Sequence, residues 1–214
     1  MEHFDSISGL WFEVKFSDLI WIDGSKALVC TITDITQKKK NQQKIEYQAH
    51  NDVLTGLYNR MKCELDLPKE IKRTIQNNKK GAILFIDLDN FKHINDGLGH
   101  RHGDMLLQQI ASGLQSMMNL KDHCYRMGGD EFVIVVTYEN FDDMDRIVKN
   151  IIEMFNTPWD LSGTEYYCTM SMGIAVYPDD SIDYNELIRL ADIAMYDSKK
   201  SGKNRYCYYD GKGG

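Results

Sequence analysis

The feature that most constrains this 214-residue sequence is a pair of strand-like runs separated by two glycines: Tyr125 to Met127, Gly128-Gly129, Asp130-Glu131, then Phe132 to Val136. The glycine pair tolerates the positive φ of a tight turn, so the segment predicts a β-hairpin with two adjacent carboxylates near its tip. A second run, Ala82 to Ile86, is apolar throughout and stops abruptly at Asp87-Leu88-Asp89. Helical spacing recurs in Gly103 to Met117 through Met105, Leu106, Ile110 and Leu114, and again in Phe141 to Phe155 and Tyr184 to Lys200. A strand near Tyr166 to Val176 separates the last two helices. The pattern predicts the α+β class, with a sheet covered by helices.

The amino-terminal part reads differently. Residues 1–35 alternate, with Phe12, Val14 and Phe16 on one strand face and Leu28, Cys30 and Ile32 on another, separated by Asp23-Gly24. This predicts a hairpin, and two strands alone are marginal in water, so it reads as the tail of a larger module. Residues 36–50 are polar and lack Pro and Gly; they form either a connecting helix supported by a partner or a solvated linker. At about 150 residues per domain, the length accommodates one domain plus a fragment, or one large domain; the change to alternating strand and helix beyond residue 50 favours the first, with the domain over residues 51–214. The run Lys38-Lys39-Lys40 reads as a solvated face. No apolar run approaches the ~20 residues of a membrane span, and the first residues lack a secretion signal, so the chain is read as cytoplasmic. Its five cysteines are scattered without a CxxC pair and read as reduced structural thiols.

A formal charge of -7 argues against a generic binder of nucleic-acid polymers. Bound phosphate then needs local cations or a metal. Asp87 and Asp130, at a strand end and a turn, either meet on one sheet edge and share a magnesium ion or remain solvated turn carboxylates. From Asn95 to Asp104 the glycines fit neither a dinucleotide fingerprint nor a P-loop. His100, His102 and Asp104 have the spacing of a binuclear hydrolase, but Met105 stands where another histidine usually follows. Asn95 and Asp104 are either reading groups for a guanine edge or a turn residue and a helix cap. Lys199 and Lys203, where a helix finishes, either complement its dipole or neutralise a triphosphate.

Asn51-Asp52-Val53-Leu54-Thr55-Gly56-Leu57-Tyr58-Asn59-Arg60, Phe85-Ile86-Asp87-Leu88-Asp89-Asn90-Phe91-Lys92, Asn95-Asp96 through Gly103-Asp104, and Arg126-Met127-Gly128-Gly129-Asp130-Glu131-Phe132 occur in one consistent order. Together they resemble the GGDEF family of diguanylate cyclases over about Ile45 to Tyr209. The resemblance implies a palm-like, mainly antiparallel sheet related to nucleotide cyclases, and condensation of two GTP into cyclic di-GMP across a homodimer. It implies that Asp87, the Leu88 carbonyl and Asp130 hold magnesium, with manganese an alternative. Asn95 and Asp104 would read guanine; the backbone of Asn90, Phe91 and Lys92 would meet the terminal phosphates; Lys199 and Lys203 would also contact phosphate. Glu131 would activate the attacking hydroxyl or bind metal. Lys203 stands where many members carry Arg, keeping the charge without the fork. Asn119 stands where many carry the first residue of an RxxD product site, which implies weak feedback inhibition. Trp11 to Val14 and Thr33 to Thr36 resemble the last strands of a PAS sensor domain and its linker. Beside the cyclase stand two other classes, a noncatalytic GTP-binding module and the metal hydrolase.

Overall fold

The structure is a computed structural model describing residues 1–117, 120 and 122–211. Asn119, on which the expected weakness of product feedback rests, lies outside the described residues. The chain divides into two units, Met1–Ala49 and His50–Gly214.

The first unit holds β1 (Glu2–Asp5), β2 (Leu10–Ile20), β3 (Lys26–Asp34) and most of α1 (Thr36–His50). The expected two-stranded hairpin is a three-stranded antiparallel sheet in the order β1-β2-β3. The added strand seats Phe4 opposite Trp11, whose rings lie 5.2 Å apart. Val14 faces Ile32 and Phe16 faces Cys30 across the β2–β3 ladder. Directly opposed residues share a sheet face, so the two apolar sets expected on separate strands form one stripe, with Phe16, Leu28 and Ile32 exposed. The Thr36 amide donates to Asp34 Oδ1 at 2.8 Å, satisfying one of the backbone donors that the first turn of α1 leaves without an intrahelical partner. Lys39 lies over the Trp11 ring and pairs with Glu2.

The second unit runs β4 (Tyr58–Asn59), α2 (Arg60–Gln76), β5 (Lys80–Leu88), α3 (Phe91–Leu98), α4 (His100–Ser116), β6 (Cys124–Gly128), β7 (Glu131–Tyr138), α5 (Phe141–Phe155), β8 (Trp159–Asp160), β9 (Glu165–Tyr166), β10 (Met170–Tyr177), α6 (Tyr184–Lys200) and β11 (Arg205–Tyr208). Six strands form one sheet in the order β11-β10-β5-β7-β6-β4. Its four central strands pair antiparallel, and only the edge pairs β10–β11 and β4–β6 run parallel. The expected α+β sheet surrounded by helices is therefore what forms. Helix α4 starts at His100, earlier than the spacing predicted, because Gly99 at φ 87 breaks the chain away from α3. The long strand expected from Tyr166 is split, and only Met170–Tyr177 joins the large sheet.

Alternation along β5 sends Ala82, Leu84 and Ile86 into one core with Leu106, Ile110 and Leu114 of α4 and Val148 of α5. Ile83 and Phe85 enter a second core with Leu67 and Ile71 of α2 and Leu187 and Leu190 of α6. Both faces are covered, which is why β5 reads as an unbroken apolar run. Burial pushes the thiols of Cys63, Cys124 and Cys168 up to about 12, consistent with structural roles. Among the described residues no helix is long and apolar enough to cross a membrane.

The approach of α6 to β10 is close at one point. A β-carbon on Gly173 would run into backbone atoms of Ala191, Ala194 and Met195. Backbone cannot step aside as a side-chain tip can, so Gly173→Ala is expected to destabilise the fold by about 2 to 3 kcal/mol. Urea unfolding of the two proteins would measure it, and an unchanged midpoint would contradict the packing.

Candidate active site

The acidic end of β5, the tip of the β6–β7 hairpin, the start of α3 and the end of α6 meet at one end of the central strands of the large sheet, not at its edge. The hairpin places its acids there through two backbone features. The β6–β7 register skips a residue between Arg126 and Gly128, a bulge that bends the tip. Gly128 then pairs with Glu131, closing a two-residue turn in which Gly129 adopts φ 53, a conformation that glycine enters without steric cost.

Asp87 and Glu131 are direct partners across the β5–β7 ladder, and the Leu88 amide donates to the Asp130 carbonyl at 3.3 Å. The turn is also braced from outside. Arg126 donates to the Gly129 carbonyl from Nε at 3.1 Å and Nη2 at 2.7 Å. Its Nη1 pairs with Asp52 at 2.9 Å. Burial opposes charge on Asp52, but donation from Thr55 and Arg126 holds its carboxyl below the usual range.

Asp87 carries an ion pair with Lys199, Nζ to Oδ1 at 2.8 Å. Burial pushes its carboxyl above the usual range; the Lys199 bond opposes this, while Asp130 and Asp89 add to it. Glu131 is raised likewise, first by burial and then by the charges of Asp87, Asp130 and Asp192, with Arg60 opposing. Such a cluster of like charges is costly unless a cation enters.

Asp89 is the residue that sequence reasoning left without a role. Its Oδ1 accepts from the Ser171 hydroxyl at 2.8 Å, and its Oδ2 accepts from the Thr169 hydroxyl at 2.7 Å and the Asn204 amide at 3.0 Å. It is buried and tied to neutral donors, which fixes the turn after α6 against the end of β5. In that turn Lys203 and Asn204 hold φ 62 and 48, a conformation that costs residues with a β-carbon about 1 to 2 kcal/mol. Lys203 Nζ donates to Asn90 Oδ1 at 2.7 Å. Asn90 is itself left-handed at φ 60 and opens α3, so its backbone and those of Phe91 and Lys92 form the first turn of that helix. Lys92 is exposed and Phe91 is buried.

Asn95 and Asp104 lie on neighbouring helices. Gly103 leaves the space that the Asn95 side chain fills, since a β-carbon there would collide with Asn95 Oδ1 and meet Phe91 Cζ at 3.1 Å. Asp104 lies inside α4, which begins at His100, and Asn95 lies inside α3. The alternatives of a helix cap and a turn residue therefore fall away, while Asp104 remains exposed. The hydrolase reading also falls away, because residues two apart on a helix point to opposite sides. His102 Nδ1 hydrogen-bonds the Leu98 carbonyl at 2.7 Å.

Among the described residues no three His, Cys, Asp or Glu side chains form a metal cage. Asp87 and Asp130 beside the Leu88 backbone are instead the kind of donor set that suits a hard divalent cation completed by water and phosphate oxygens. The Lys199 ammonium on Asp87 already shows that the site accepts positive charge.

A raised carboxyl in the folded chain keeps its proton to higher pH than in the unfolded chain, so its contribution to stability is full at low pH and is lost as pH rises through the raised value. In chelator at pH 7 to 8, Glu131→Gln is therefore expected to melt above the parent. The gain should shrink as pH falls toward 4.5, the ordinary glutamate value. Melting curves across that range measure it, and a pH-independent difference would count against a strained Glu131.

The family described as diguanylate cyclase, GGDEF domain, matches residues 49–205. The bifunctional diguanylate cyclase/cyclic di-GMP phosphodiesterase MucR of Pseudomonas aeruginosa is 36% identical over 172 residues, covering 80% of this chain and 25% of MucR. The probable diguanylate cyclase DgcE of Escherichia coli is 34% identical over 209 residues, covering 95% of this chain and 19% of DgcE. The chain thus spans about a quarter or less of the length of these relatives. The solved GGDEF domain of TpbB from Pseudomonas aeruginosa superposes with a TM-score of 0.71 at 34% identity, covering 75% of this chain and 95% of that one. With the family match extending from the end of α1 to the first residue of β11, the chain belongs to the GGDEF domain family of diguanylate cyclases.

Proposed function

We propose that this chain condenses two GTP molecules into cyclic di-GMP, with release of two pyrophosphates, across a homodimer of the second unit. The observation that carries the reading is the convergence of Asp87, Asp130 and Glu131 beside Lys199, with the Asn95–Asp104 pair on the adjoining helices. Relatives named as diguanylate cyclases support the same chemistry.

Asp87, Asp130 and the Leu88 carbonyl would hold magnesium, or manganese in its place. Bound there, the ion supplies Lewis-acid stabilisation of charge on the phosphate oxygens of in-line phosphoryl transfer. The remaining work falls to the chain. Asn95 and Asp104 offer an amide and a carboxylate to the edge of guanine, and the seat over Gly103 fixes the amide. First-turn amides of α3 face the β and γ phosphates as the open end of a helix can, and Lys199 and Lys203 balance their charge. Glu131, with its raised affinity for protons, takes the proton of the 3′-hydroxyl as its oxygen bonds to the α-phosphorus of the opposite GTP. The α–β phosphoanhydride breaks and pyrophosphate leaves. One domain positions one GTP, so the ring closes only when two domains face each other. The first unit is read as the end of a PAS-like sensor whose linker, residues 36–50, arranges that encounter in the cytoplasm.

Incubation with GTP and magnesium followed by nucleotide chromatography tests this: cyclic di-GMP supports it, and unchanged GTP or simple hydrolysis overturns it. Asp130→Ala is expected to lower product formation by at least about 100-fold with little loss of fold, and near-normal turnover would refute the metal role. Asp104→Ser should relax the choice of base, measured as the ratio of kcat/KM for GTP and ATP; an unaltered ratio counts against guanine reading.

A further inference from the structure

Four carboxylates crowd the end of β5, but they are not equivalent. Asp89 has both oxygens engaged by neutral donors from β10, the loop before it and the turn after α6. That anchor fixes the turn against the strand. Asp87 is different: its partner is the flexible ammonium of Lys199, whose side chain remains 29% exposed while that of Asp87 is 12% exposed. Lys199 stands in the last turn of α6, and α6 packs on β10, the strand paired with β5. Helix and carboxylate are thus held in place, and only the side chain between them is free to turn. A lysine ammonium is a compact, strongly hydrated point charge on a flexible stem, close in kind to the hydrated cation that Asp87 and Asp130 are suited to hold. Two cations cannot share one side of Asp87 without repelling each other.

We infer that Lys199 is the resident counter-ion of Asp87 in the nucleotide-free protein and that it exchanges places with the divalent metal when nucleotide arrives, leaving the carboxylate for the phosphates. The inference rests on the proposed metal-and-GTP reading and deepens it. It makes metal binding conditional on nucleotide: free metal must displace Lys199 into solvent, whereas metal arriving with a triphosphate brings the anion that receives the displaced ammonium. Lys203 has a different position. Its partner is the neutral Asn90 amide oxygen, so its removal uncovers no carboxylate.

The test titrates the nucleotide-free full chain with Mn2+ and follows the free-ion signal by electron paramagnetic resonance. Lys199→Met is expected to bind one Mn2+ at least tenfold more tightly than the parent, and Lys203→Met should stay within about twofold. Adding Asp87→Asn to Lys199→Met should abolish the gain. In the presence of a GTP analogue with an unreactive α–β bridge, Mn2+ affinity should rise more in the parent than in Lys199→Met. Lys199→Gln makes the same charge change with a polar side chain and serves if the methionine variant does not keep the parent's circular dichroism. Equal or weaker Mn2+ binding by a folded Lys199 variant overturns the exchange, as does a gain that survives Asp87→Asn. These outcomes are separable from failure of the cyclase reading, which appears as absence of cyclic di-GMP from the parent with GTP and magnesium, whatever the Mn2+ titration gives.

Discussion

The second unit is organised around one electrostatic difficulty: Asp87, Asp89, Asp130 and Glu131 lie at one end of the large sheet, the first two buried and the last two partly so. Two separate solutions are built into the fold. Asp89 is saturated with hydroxyl and amide donors and becomes part of the framework. Asp87 and Glu131 are held above the usual carboxylate range by burial and by neighbouring carboxylates, which makes them the candidates for holding a cation and moving a proton. The bulge, the Gly128-Gly129 turn and the Arg126 brace all keep the acids close against their mutual repulsion.

Features carried by local chemistry were readable in the sequence. An apolar run ending in Asp87 reads as a strand with a polar end because both faces of β5 are covered. A glycine pair between two strand-like runs reads as a hairpin because few other residues tolerate that turn. The role of Asp89 was not readable in this way. Its donors Thr169, Ser171 and Asn204 lie 80, 82 and 115 positions away, and no local periodicity links them. The seat of Asn95 was hidden for a related reason, since Gly103 matters only once α3 and α4 are packed together.

The first unit shows how period-two reasoning on single strands falls short. Phe12, Val14 and Phe16 share one face of β2, as Leu28, Cys30 and Ile32 share one face of β3, but whether the two sets meet depends on register. Pairing of Val14 with Ile32 and Phe16 with Cys30 merges them. The third strand, β1, is only four residues long and carries one large aromatic, so nothing in its composition sets it apart from a loop.

Gly173 links packing to kinetics. Because α6 touches the β10 backbone there, helix and sheet cannot slide past each other without a large displacement of core side chains. The cation exchange proposed at Asp87 would then need no hinge, lid or shift of an element, only rotation about the bonds of one lysine stem. Such rotations take picoseconds to nanoseconds, against the milliseconds or longer of typical enzymatic turnover. On the proposed reading, the side-chain motion that accompanies cation exchange is therefore too fast to be the step that limits turnover.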